Sequence, residues 1–313
     1  MIYLEMPPVW NPKFSANFYA RWGRESAVIS APAARVEYRE YRQLLSIKAA
    51  FGGSETYYVD GRRKVVDDDT FLILNADRCY ASKIDSIHPV HSFSIFFDAA
   101  LAAAAIESMS AEPEALLEQP LAPGARSLEF SEQLHTHDRL VSPLLRYIRA
   151  TVDRGFHDAA WLEEQLTFLL GRMVRLHHNV MRRETLVPAR KAPTRRELLR
   201  RLALGVDFIH AHYRDPLDLK SVAEAAHLSR FYFLHLFKSV HGVSPAQFIA
   251  RKRCAAALSL LRKTSWTMTD IATYVGFGSR STLFRKLKSA YGLGPHELRA
   301  LERPGDGAGR HGT

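Results

Sequence analysis

Residues 219–295 hold one short pattern twice, and that duplication constrains the fold of this 313-residue chain more than any other feature. The first copy is VAEAAHLSRFYFLHLFKSVHGVSP, from Val222 to Pro245. The second is IATYVGFGSRSTLFRKLKSAYGLGP, from Ile271 to Pro295. Each has an alanine one residue in, a short helical pattern, a tight turn, a second helix with a basic flank and a Gly-x-x-Pro close. Ala223 matches Ala272 and Gly242 matches Gly292, with one extra residue in the turn of the second copy. Two short helices joined by a sharp turn are how proteins offer a helix to the DNA major groove. A bundle whose basic face is only solvated would not need the same turn and close twice.

Helical spacing sorts the side chains of each copy. In the first, Asp218 or Ser221 can cap a support helix over about 219–226, Leu228 points inward from the turn, and Ser229 caps the second helix. Phe233 and Phe237, four apart, face the core with Leu236 and Val240. Arg230, Phe231, Tyr232, Leu234, His235 and Lys238 are left toward the groove or its rim. In the second copy, Thr269 or Asp270 is expected to cap the support helix, Phe277 plugs the core, and Ser279 caps the helix that follows. Leu283 and Leu287 are its buried pair, with Arg280, Ser281, Phe284, Arg285 and Lys288 outward. Arg280 and Arg285 are the candidates for bidentate reading of a guanine edge. Ser281 or Thr282 would serve a base or a phosphate, and Lys238, Lys286 and Lys288 phosphates. Between the copies, 245–261 reads as one helix long enough to be a rigid rod. Two readers on such a rod would meet successive major-groove faces about one turn apart.

Charge follows the same division. Residues 189–313 carry 22 Lys/Arg against 9 Asp/Glu, while the preceding 188 residues carry 21 against 24. A basic domain beside a nearly neutral one points to a polyanionic partner for the former. No apolar run reaches the length of a membrane span, and the start, MIYLEMPPVW, lacks the basic-then-apolar order of a secretory signal. Two cysteines, Cys79 and Cys254, fit a reducing compartment, so a cytoplasmic location is expected. They argue against a thiolate metal site or an alkyl-transfer repair enzyme, which needs several cysteines.

The first part of the chain changes character twice. Residues 1–30, with three prolines and several aromatics, read as irregular chain folded back over a core edge. Residues 35–98 read as a meander of short β runs separated by Gly52-Gly53, Asp60-Gly61 and Asn75-Ala76-Asp77. Closure into a small barrel or sandwich is the economical way for such a meander to bury its apolar face. Residues 99–182 read as helical: LAAAAIESM, then a stretch over 127–152 interrupted at Pro143, then a strong helix from Ala160. In the last, Leu162, Leu166, Leu169, Leu170, Met173 and Leu176 form a broad apolar stripe, and pairing with a second subunit is the expected use for it. The domains are therefore expected at 1–182 and 196–302, with a Pro- and Arg-containing linker at 183–195 and a Gly-rich disordered tail at 303–313.

The duplicated segment closely resembles the DNA-binding domain of AraC/XylS-type transcriptional regulators. The resemblance is carried by Ala223, Leu228-Ser229, Phe233, Phe237-Lys238 and Gly242-Val243-Ser244-Pro245 in the first copy. Ala272, Gly276-Phe277, Leu283, Arg285, Leu287-Lys288 and Gly292-Leu293-Gly294-Pro295 carry it in the second. It covers about 195–302. Departures are His227 for a turn glycine, His235 for an arginine, Gly278 and Gly294 for serines, and the apolar Leu234 and Phe284 where polar base readers are frequent. These two would suit thymine methyls, and the second copy is the more polar reader.

More loosely, residues 30–180 look like the companion domain of that family, a cupin-like barrel with flanking helices. The implied whole is a mixed fold, a β-rich N-terminal domain and an all-α C-terminal domain with two helix-turn-helix units. The implied function is a dimeric regulator of transcription that binds double-stranded DNA, acts as an activator rather than a repressor, touches RNA polymerase and answers a small effector. Tyr38, Tyr57, Phe71, Ile73, Phe93, Ile95 and Phe97 are the expected interior of the barrel, with Arg35, Arg39 and His91 as polar groups toward a ligand. A regulator that senses nothing is an alternative. So is a metal enzyme on a cupin barrel, but the close pair His88 and His91 would lie on opposite faces of a strand, and no catalytic or cofactor residues are assigned.

Overall fold

The computed structural model describes residues 1–110 and 128–300, so the expected tail at 303–313 lies outside the described residues. The chain divides into two compact units, Met1–Thr185 and Leu186–Thr313.

In the first unit the strands are β1 (Ile2–Tyr3), β2 (Ala27–Arg42), β3 (Ser46–Phe51), β4 (Ser54–Val59), β5 (Arg62–Asp67), β6 (Thr70–Leu74), β7 (Cys79–Phe96) and β8 (Leu134–Thr136). Left-handed backbone at Asp60 (φ 50°) and Gly61 (φ 71°) makes the two-residue turn from β4 to β5. The sheet runs β1-β2-β7-β3-β6-β8. The long β7 pairs with β2 along most of its length, with β4 near its start and with β3 near its end. Among the described residues these pairings form one eight-stranded sheet, with no strand pairing that closes it into the expected barrel.

The helices of this unit are α1 (Pro12–Arg21), α2 (Ala99–Ser110), α3 (Ser142–Asp153) and α4 (Ala159–Arg182). Residues 1–30 are thus not irregular. Asn11 accepts from the backbone of Lys13 and Phe14, Pro12 opens the helix, and β1 joins β2 in parallel. Over the described residues 128–141 the expected helix is also absent. His135 lies in β8 and His137 just beyond it, and the helix begins only beside Pro143. Asp138 accepts from the amides of Leu140, Val141 and Ser142, which supplies the start signal a pattern of apolar residues could not.

Strand parity sets the core. Val28, Ile47, Ala49, Phe71, Ile73, Phe93, Ile95 and Phe97 share one cluster with Leu145, Ile148, Leu162, Leu166, Leu169, Leu170 and Met173 from α3 and α4. The stripe expected to pair two subunits is therefore spent inside one chain, with Leu166, Leu169 and Leu170 fully buried. The opposite parity gives the other face. There Ala50, Tyr57, Leu72, Leu74, Tyr80 and Ile84 pack together, and Ser82, Ser92 and Ser94 alternate with the apolar residues of β7.

The second unit holds α5 (Ala192–His212), α6 (Leu219–Ala225), α7 (Arg230–His241), α8 (Pro245–Lys263), α9 (Met268–Tyr274), α10 (Arg280–Tyr291) and α11 (Pro295–Ala300). Across the expected linker, Arg183–Leu186 form a 3-10 turn, Val187 is buried against the first repeat, and Ala192 already begins α5. Asp218, Ser229, Ser244, Thr267 and Ser279 cap α6 to α10, each accepting a backbone N–H of the first turn. Thr267, not Thr269 or Asp270, is the cap of α9. Asp270 instead reaches back to the Thr267 amide, completing a capping box.

Candidate nucleic-acid interface

The two copies repeat one another down to single hydrogen bonds. His227 N donates to Glu224 O and Leu228 N to Ala223 O in the first turn. Gly276 N donates to Thr273 O and Phe277 N to Ala272 O in the second. His227 (φ 52°) and Gly276 (φ 86°) both take the left-handed conformation that reverses the chain, and Gly278 (φ 69°) is the extra residue. Gly242 (φ 68°) and Gly292 (φ 73°) end α7 and α10 the same way, with the prolines of α8 and α11 three residues on. The Gly-x-x-Pro close is thus a helix end followed directly by a helix start.

The core of each copy holds its outer helix by one face. Phe233, Leu236 and Phe237 of α7 are fully buried with Val222, Ala223 and Ile209. Leu283 and Leu287 of α10 are fully buried with Ile271, Ala272 and Val275. The rod α8 is shared. Phe248 and Ile249 of its first half pack on the first core, Cys254, Ala257 and Leu261 on the second. At about 1.5 Å per residue its 19 residues span about 28 Å, comparable to one turn of B-DNA.

What remains outward is basic and unpaired. Arg230, Phe231, His235 and Lys238 of α7 are exposed, Phe231 at 74%, with its ring 4.4 Å from that of His235. Arg280, Ser281, Phe284, Arg285, Lys286 and Lys288 of α10 are exposed, Phe284 at 45%. Among the described residues none of these arginines and lysines forms an ion pair. By contrast, on α5 Glu197 binds Arg200 at 2.7 Å and Arg201 at 2.8 Å, and those hydrogen bonds hold its carboxyl at about 2. Three sequence-assigned contacts sit differently. Tyr232 is half-buried against the first core, and Leu234 is half-buried. Ser279 is occupied as a cap, accepting from Thr282 N at 3.2 Å and donating to Thr282 Oγ1 at 2.9 Å.

Arg253 of α8 holds the copies together and is invisible to periodicity. Its guanidinium donates to Tyr213 O at 2.6 Å and Asp215 O at 2.7 Å, beyond the end of α5, and to Gly276 O at 2.6 Å in the second turn. One side chain thus fixes the end of the first repeat's supporting helix to the turn of the second repeat.

The residues expected at an effector separate. Tyr38 and Tyr57 line a cavity on the serine-bearing face of the sheet. Arg35 and Arg39 are exposed, because a register shift in β2 between Ala33 and Arg35 keeps Val36 and Tyr38 inward and turns the arginines out. Phe93 belongs to the helix-covered face, as do Phe71, Ile73, Ile95 and Phe97. His91 shares that parity. Its Nε2 lies 2.8 Å from Ser30 Oγ, which also donates to Asp153 of α3 at 2.5 Å. The carboxylate holds the serine rather than the ring Nδ1, so this cluster ties helix to sheet and is not a catalytic triad. Lys48 and Glu55, both buried in the cavity wall, escaped the sequence reading because charged residues are seldom interior. No group of three His, Cys, Asp or Glu side chains that could hold a metal ion occurs among the described residues. No described helix is long and apolar enough to cross a membrane.

Residues 222–301 match the family model of a helix-turn-helix domain. The regulatory protein PocR of Salmonella typhimurium is 33% identical over 92 residues, which are 29% of this chain and 30% of PocR. The chain thus spans less than a third of that relative. The multiple antibiotic resistance protein MarA of Escherichia coli is 27% identical over 101 residues, 32% of this chain and 80% of MarA. Among solved structures, the DNA-binding domain of the global transcriptional factor AdpA, in complex with a target DNA, is 28% identical. It covers 32% of this chain and is itself covered to 89%, with a TM-score of 0.31. Through residues 222–301 of its C-terminal unit, the chain carries a helix-turn-helix domain of the AraC/XylS type found in transcriptional regulators.

Proposed function

We propose that this protein binds specific sites in double-stranded DNA and regulates transcription from them, as a dimer that answers a small effector. It is a regulator rather than an enzyme. The observation that carries this reading is the pair of helices α7 and α10, mounted on one rod, whose outward Arg230, Lys238, Arg280, Arg285, Lys286 and Lys288 form no ion pair among the described residues. Arg280 and Arg285 are assigned to base edges, Lys238, Lys286 and Lys288 to phosphates, and Phe231 and Phe284 to thymine methyls. Arg230 and His235 complete the first reader, and Ser281 the second.

The first unit supplies pairing and sensing in this reading. With the α4 stripe buried, pairing falls to the outward faces of the helices in 99–182, where Tyr147 and Phe168 are about half exposed. An effector in the cavity biases one of two arrangements of the pair by binding it more tightly, which is the only way it can shift the equilibrium. Activation through a contact with RNA polymerase is the expected outcome at a promoter.

The test is selection of bound sequences from a random DNA pool by the full-length protein at two salt concentrations. Enrichment of two blocks about one helical turn apart supports two working readers, and a duplicated site supports the dimer. Uniform binding that simply fades with salt would sink the sequence-specific reading.

A further inference from the structure

The cavity on the serine-bearing face has an unusual wall. It holds a free volume of about 40 Å³. The N-terminal segment and α1 cover it with apolar groups, Met6, Val9, Phe18 and Trp22. Trp22 packs 4.6 Å from both Phe18 and Phe96. Opposite them lie Lys48 of β3 and Glu55 of β4, 1% and 3% exposed.

The two charges are not equally satisfied. Glu55 accepts from Ser92 Oγ at 2.7 Å and is also hydrogen-bonded by Tyr57 and Ser82. Lys48 has three N–H donors and no hydrogen-bond acceptor among the described residues. Its Nζ sits 3.3 Å from the centre of the Phe96 ring and 5.2 Å from that of Tyr80, and Glu55 is the charge that faces it among the described residues. A buried ammonium without an acceptor is costly, and a strong acceptor brought to it recovers that cost. The unmet need of this wall is therefore for an oxygen acceptor, preferably charged.

The remaining chemistry narrows the class. A polyol could bond the serine hydroxyls of Ser82, Ser92 and Ser94 but would bring only neutral acceptors to the lysine. A dianion would exceed the one lysine present. A single carboxylate matches it. Burial pushes the Glu55 carboxyl up and the Lys48 ammonium well below its usual value, so the empty wall favours the neutral pair, and a bound carboxylate would restore the charge of the lysine. The aromatic cover suits a flat or short apolar body.

We propose that this cavity binds a small monocarboxylic acid, its carboxylate on Lys48 Nζ and its apolar or aromatic body against Phe18, Trp22 and Phe96. The assignment rests on the reading of the first unit as an effector domain and names the class of effector.

Phenylacetate and octanoate, each beside its neutral amide, would be titrated calorimetrically into the full-length protein. Both acids are expected to saturate, with each amide at least about tenfold weaker, the loss of one charged hydrogen bond. Lys48→Met should abolish that preference; an apolar side chain of similar length at this buried position is expected to keep the fold, checked by thermal melting. Amides that bind as well as the acids, or acids that fail to bind at millimolar concentration, overturn the proposal. The wild-type comparison decides the matter even if the variant does not fold. Affinity for the selected DNA, measured with and without phenylacetate, separates the two readings. Acid binding with unchanged DNA affinity keeps the cavity assignment and removes the effector role. Failure of sequence-specific DNA binding removes the regulator reading and leaves the cavity assignment standing.

Discussion

The guanidinium of Arg253 donates to the backbone oxygen of Gly276 at 2.6 Å, while its other nitrogens bind Tyr213 O and Asp215 O. Those carbonyls lie just beyond the end of α5, where a helix leaves acceptors without internal partners. The spacing of the two outer helices therefore depends on one side chain and on one turn.

Arg253→Ala should cost about 2–4 kcal/mol by leaving three carbonyls without their charged donor. Arg253→Lys should recover only part, since an ammonium cannot reproduce the fork. Gly276→Ala should act at the same joint, because a Cβ there collides with Arg214 O and the residue holds φ 86°. Amide exchange over residues 268–291 is the readout. Protection there unchanged in all three variants would show that the joint is not held by this contact.

Gly205 lies inside α5, where helix propensity alone favours alanine by about 1 kcal/mol. Its Cβ would stand 2.6 Å from the Phe233 ring and 3.3 Å from Ala226 Cβ. Gly205→Ala should therefore destabilise the first repeat by about 1–3 kcal/mol through overpacking. A raised melting temperature would mean that Phe233 can move aside.

Leu166 is fully buried between α4 and the sheet. Leu166→Asp should unfold the first unit rather than release folded monomers, because an unpaired charge enters the core. Circular dichroism with sedimentation distinguishes the two, and a folded monomer would return the stripe to a subunit interface.

His135 is buried beside Phe71, and burial lowers its ring to about 4 from 6.5. Its folded pKa is depressed, so the unfolded state takes up a proton first. Stability is undiminished above about pH 6.5, falls as pH drops toward 4, and loses no more below that, about 3 kcal/mol in all from this residue. His137, lowered to about 4 by burial, acts in the same window. Urea melts from pH 7 to pH 4 should show the loss, and His135→Phe should reduce it. An equal slope in the variant would place the proton uptake elsewhere.

Arg280 and Arg285 are exposed on α10 without acidic partners among the described residues. Arg280→Ala or Arg285→Ala should weaken the selected site by about 1–3 kcal/mol and relax preference at one base position. Equal loss on random DNA would make the side chain a phosphate contact.

The second unit was legible because its signals are local. A cap such as Ser229, a left-handed glycine such as Gly242 and an apolar pair such as Phe233 and Phe237 each lie within one turn of what they act on. The sequence by itself therefore determined two helix-turn-helix units, their buried faces and the basic side chains left outward. Only the tertiary structure decided which parity of β7 meets the helices. Both parities of a strand buried on two sides read as interior, and it was α3 and α4 that took Phe93, Ile95 and Phe97, leaving Ser92 and Ser94 to the cavity. It also decided that the α4 stripe closes a core, that Lys48 and Glu55 share a wall, and that Arg253 joins the repeats. Each of these pairs elements distant along the chain, and a side chain carries no local mark of what will be folded against it.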